Sequence, residues 1–124
     1  MVQTDISQLS AECTEWRQIL RNYRDELQDY QKALQETCQN TLSKDDLKWV
    51  EHYDNQFHIQ LINIHDLKQC IKNHERKILF QGDSISDQTY TAHENLLNEF
   101  LAQENTLQEL RNSFKGFISK ISCS

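Results

Sequence analysis

Apolar residues recur along most of this chain at alternating steps of three and four, the spacing that lays them on one face of a helix. The first run is the clearest: Ile6, Leu9, Cys13, Trp16, Leu20, Tyr23, Leu27, Tyr30 and Leu34. It keeps a heptad a/d seam over four repeats. Ile19 and Ala33 widen the seam on one flank, where Glu12 and Glu26 also lie, while Arg17 and Arg24 stand on the other. A widened seam carrying three aromatics suits a bundle better than a two-stranded coiled coil.

Asn40 can end this helix, and Ser43 with Asp46 forms a variant capping box that starts the next. The second run places Leu47, Val50, Tyr53, Phe57, Leu61, Ile64, Leu67, Ile71 and Ile78 on an inner face. Gly82 can take the left-handed conformation that closes a helix, and Ser84 or Ser86 can open the third. The third seam is His93, Leu96, Phe100, Gln103, Leu107, Leu110, Phe114, Phe117 and Ile121. Gly116 lies inside it and costs about 1 kcal/mol relative to Ala, but Phe117 and Ile121 stay in register, so the helix is expected to continue. The spacing predicts helices over residues 5–40, 44–80 and 86–121 in a single domain, 1–124. Two short connections make it all-α, an elongated antiparallel up-down-up three-helix bundle about 50 Å long at 1.5 Å per residue. The outline resembles spectrin-like three-helix repeats in shape alone, with no residue motif shared, and nothing of that family's function is carried over.

Composition agrees with long helices and narrow stripes. The 124 residues contain no proline and only two glycines, with 37% hydrophobic and 26% charged side chains. That is too much periodic apolar content for disorder and little for a deep core. The formal net charge of −6, with no Lys/Arg cluster beyond "HERK" at residues 74 to 77, disfavours nucleic acid as a partner. No apolar run is long enough to span a membrane, and the polar, acidic N-terminus does not read as a signal peptide. The expected setting is therefore cytoplasmic, with reduced thiols. Cys13, Cys38, Cys70 and Cys123 show neither a C-x-x-C spacing nor a disulfide framework. Cys38 and Cys123 fall near the same end of the rod and are expected to be free thiols.

Candidate chemistry comes from converting position into height. In an antiparallel bundle, level residues on helices 2 and 3 have numbers summing to about 167, and those on helices 1 and 2 to about 85. His74 then stands level with His93, beside Glu12 and Cys13, with Cys70 one turn from His74. Cys13, Cys70, His74 and His93 are a chemically sensible zinc set. Cysteine is also a common small buried hydrophobe, and seam histidines commonly bond to each other or to a carboxylate such as Glu12. Ordinary packing is the leading expectation, with no cofactor, and a zinc- or thiol-binding layer is the alternative.

The remaining patterns carry less. His58 and His65 lie on one polar face about 10.5 Å apart along the axis, too far to share a metal, and Asp54 with His58 makes at most a surface pair. Di-iron bundles use Glu-x-x-His ligands, which are absent. "LFQG" at residues 79 to 82 resembles the core of a picornaviral 3C-type protease site, but Asp83 follows it and the helical pattern runs through it. No nucleophile–base constellation marks an enzyme. Trp49, Ile59 and Ile62 fall off the seam of helix 2, and Leu101 falls off that of helix 3. The expected function is a non-catalytic helical interaction or structural protein. Its partner would be another protein or a second copy of itself, held through the outer face of helix 2 as a homodimer.

Overall fold

A computed structural model describes residues 6–37, 42–81 and 85–122. Three helices follow in order, α1 (Ile6–Thr37), α2 (Lys44–Gln81) and α3 (Asp87–Ser122), with no strand among the described residues. They form the antiparallel three-helix bundle that the seams imply. At 1.5 Å per residue α2 alone is about 57 Å long.

The two helix starts that can be seen are capped by side chains. Ser43 Oγ accepts from the backbone N–H of Asp46 at 3.1 Å, and Ser86 Oγ from that of Thr89 at 3.2 Å. Each bond satisfies one of the amides that a helix start leaves without a partner. Of the two possible starts for α3, Ser86 is the cap. The C-terminal signals at Asn40 and Gly82, the possible cap Ser84, and the thiols Cys38 and Cys123 lie outside the described residues. α3 continues through Gly116, as the register of Phe117 requires.

The core is one continuous cluster drawn from all three stripes. Toward the α1–α2 connection it is aromatic: Phe57 meets Phe114 edge-on at 4.9 Å, Tyr30 lies 5.0 Å from Phe114, and Tyr53 lies 5.1 Å from Phe117. The Tyr53 hydroxyl is satisfied by Ser113 Oγ at 2.5 Å. Buried edge-to-face aromatic pairs stabilise by about 0.5–1.5 kcal/mol beyond their area. Toward the α2–α3 connection the interior turns polar, with His74 and His93 both buried.

α2 packs against both neighbours, so its buried stripe is wider than one seam. Gln60 is buried there, with its Oε1 accepting from Gln103 Nε2 of α3 at 2.8 Å, while Leu61, the residue expected from the stripe, is only partly buried. Leu47, expected on the inner face, is instead 46% exposed. It sits in the first turn of α2, at one end of the rod, level with Thr37 of α1. The two flanks of α1 divide between its neighbours. Glu12 and Glu26 reach His93 and Arg111 of α3, whereas Arg17 reaches Glu75 of α2. Among the described residues no helix is long and apolar enough to cross a membrane.

Candidate functional site

The polar end of the bundle brings one residue from each helix to a common point. Cys13 of α1, His74 of α2 and His93 of α3 are all buried, and their ligand atoms lie within 4.8 Å of one another. Each arrives there by the seam of its own helix, so the site follows from register and not from a local motif. The height relation deduced for His74 and His93 is realised as a hydrogen bond, 2.9 Å between His74 Nε2 and His93 Nδ1. The second nitrogen of His93, Nε2, donates to Glu12 Oε1 at 2.7 Å.

That last bond fixes the tautomers. With Nε2 of His93 protonated toward the carboxylate, Nδ1 of a neutral His93 is the acceptor and His74 Nε2–H is the donor. A directed chain therefore runs from His74 through His93 to Glu12, which is half-exposed at the surface. Trp16 closes one side, its ring centre 4.8 Å from that of His93. On the other side His74 lines a recess of about 500 Å³ between α2 and α3, shared with Cys70, Asn73, Lys77, Thr89 and Leu96.

Burial dominates the electrostatics. It holds the pKa of His74 below its ordinary value, helped by the neighbouring His93 and then by Lys77. It also pushes the Cys13 thiol up to about 12, with Glu75 adding to the effect, Arg17 opposing it and Glu12 contributing least. At neutral pH Cys13 is thus a thiol and His74 a neutral imidazole. Cys70, grouped with these three on sequence, is not brought to the cluster. Its side chain is exposed on the wall of the recess, one turn from His74.

Other features were invisible in the linear pattern. Glu75 binds Arg17 Nη2 at 2.6 Å and accepts from Ser10 Oγ at 2.7 Å, one step outside Cys13 on the α1–α2 flank. Lys68 of α2 faces Arg17, Arg21 and Arg24 of α1; burial first, then these three cations, lowers its pKa. Arg17, Arg21 and Arg24 recur at steps of four and three along α1, and the fold adds Lys68 of α2 to them, with Arg17 paired to Glu75 and Arg24 to Asp25. Asp54 and His58 do come together at the surface, with the imidazole Nδ1 2.8 Å from the Asp54 carbonyl oxygen.

The off-seam apolar residues stand in solvent. Trp49 is 52%, Ile62 60% and Leu101 50% exposed, and Ile59 is also exposed. They are not one patch. Trp49 shares a surface groove with Lys120 of α3, whereas Ile59 and Ile62 lie on the outward face of α2. Leu101 pairs with exposed Leu97 one turn away on α3. Phe80, 92% exposed, escaped the sequence reading. It lies eighteen residues, about five helical turns, beyond Ile62 and so shares its face. No protein-family model, curated protein or solved structure matches this chain.

Proposed function

We propose that this protein is a non-catalytic helical interaction protein that self-associates through the outer face of α2. The observation that carries the reading is the pair Ile59 and Ile62, exposed side by side on the face of α2 turned away from the core. A three-helix bundle buries one stripe per helix and leaves the opposite stripe to water, where isoleucine has no packing reason to stand. Phe80 extends the same face.

Burying an isoleucine side chain stabilises by about 1.5–3 kcal/mol, so two from each protomer supply a useful centre for a two-fold contact. A two-fold axis across α2 sets each Ile59 and Ile62 against the same pair on the partner. Long parallel-sided rods also offer the area, about 1,200–2,000 Å², that stable interfaces need. The expected setting is the cytoplasm, where Cys13 and Cys70 remain thiols.

Sedimentation velocity on the wild type and on Ile59→Glu/Ile62→Glu tests the reading. The wild type is expected to sediment as a dimer and the double variant as a monomer of unchanged helicity. A wild type that stays monomeric at high micromolar concentration removes the homodimer. A double variant that stays dimeric moves the interface, with the Leu97/Leu101 pair the next surface to examine.

A further inference from the structure

We propose that Cys13, His74 and His93 form a zinc site that ties all three helices together, with Glu12 orienting His93 from outside the coordination shell. The argument is independent of self-association and rests on donor chemistry, convergence and the partner behind the ligand.

One thiol and two imidazoles are a donor set that suits zinc and disfavours the hard cations, which take oxygen ligands. Three such atoms within 4.8 Å of one another need little movement to meet a common ion. For Zn–N near 2.0–2.1 Å and Zn–S near 2.3 Å, tetrahedral geometry sets the nitrogens about 3.3 Å apart and nitrogen from sulfur about 3.6 Å. The His74–His93 nitrogens, now 2.9 Å apart, would open by about 0.4 Å as the ion takes the place of the proton between them. The Cys13 sulfur, within 4.8 Å of the nitrogens, would close by at most about 1.2 Å to reach its tetrahedral separation.

The carboxylate behind His93 is the more telling feature. A metal-bound histidine characteristically donates its other N–H to a carboxylate, which fixes the tautomer and raises the basicity of the coordinating nitrogen. Glu12 already does this, at 2.7 Å, and thereby leaves His93 Nδ1 with its lone pair pointed at the cluster. Binding balances as one Zn²⁺ taken up and one proton, that of the Cys13 thiol, released, while the Nε2 proton of His74 moves to its Nδ1. The recess borders the site at His74, the side from which an ion and a water as fourth ligand would enter. Cys70 stands on that wall but outside the ligand set.

The test uses the full untagged chain carrying Cys38→Ser and Cys123→Ser, stripped with chelator and titrated with Co²⁺ as a spectroscopic stand-in for Zn²⁺. The expected result is one equivalent bound, with a thiolate-to-cobalt charge-transfer band, intense ligand-field bands, and competitive displacement by Zn²⁺ that raises the melting temperature. Adding Cys13→Ser abolishes the charge-transfer band, whereas adding Cys70→Ser leaves it. Glu12→Gln keeps the band and weakens affinity about 10–100-fold. Absence of a saturable charge-transfer band in the parent protein overturns the proposal, whatever the variants do. A band that survives Cys13→Ser and vanishes with Cys70→Ser also overturns it.

Discussion

Replacing Gly116 by alanine should stabilise the protein, and the sign of the effect depends on how α3 runs. The helix passes through Gly116 to Ser122, and a Cβ built there meets no atom within 4 Å. Alanine in a helix interior is favoured over glycine by about 0.5–1 kcal/mol, mainly because glycine loses more backbone freedom on folding. With no new clash and no lost contact, nearly all of that difference should appear as stability. For a domain of this size it corresponds to a rise of about 2–4 °C in melting temperature. Urea unfolding followed by far-ultraviolet circular dichroism should show a higher midpoint at unchanged slope, the sign of altered stability without altered compactness. If Gly116 instead closed the helix in a left-handed conformation, alanine would strain it and the midpoint would fall. A loss of 0.5 kcal/mol or more, on the order of the glycine penalty itself, would refute an uninterrupted α3 and free the last turns from the register that sets Phe117 against Tyr53.

Two further outcomes follow from the polar layer. In native, metal-free protein, brief alkylation mapped by mass spectrometry should modify Cys70 and spare Cys13, which is fully buried with its thiol pushed up to about 12; equal labelling would mean the layer is open. In chelator, stability should fall as pH drops below 6.5, because His74 titrates lower folded than unfolded and the unfolded chain takes up the proton first. The groups facing it are His93 of α3, Cys13 of α1 and Lys77 of its own helix, and urea midpoints at pH 7.5 and 5.5 that do not decrease would contradict its burial as a neutral ring.

Much of this architecture was legible because each helix carries its own periodic stripe and the chain has few breakers. The three spans, the Ser43 cap, the restriction of the third start to Ser84 or Ser86, and the level placement of His74 with His93 all follow from spacing. Height along a rod is set by residue count, so it survives translation from sequence. Azimuth is harder to read. Cys70 and His74 share a height to within one turn, but only His74 rotates inward far enough to meet Cys13. Gln60 was hidden for the same reason, since the central helix buries two flanks and a seam drawn through Leu61 describes only one of them. The pairing of Glu75 with Arg17 and the approach of Lys68 to the α1 arginines required both helices in place, because these partners are distant in sequence.

The proposed α2–α2 contact can be measured as a distance. Cys70 is exposed on α2 and Cys13 is not, so in the Cys38→Ser/Cys123→Ser protein a nitroxide reagent labels one site per chain. An antiparallel two-fold contact centred between Ile59 and Ile62 separates the two labels by nearly 30 Å along the axis and about 10 Å across it, roughly 30 Å in all. Double electron–electron resonance at the concentration where the protein sediments as a dimer should give that distance, and Ile59→Glu/Ile62→Glu should abolish it. A modulation no deeper than that of a monomer, or a distance beyond about 50 Å, roughly the length of the rod itself, would show that the outer faces of α2 do not meet.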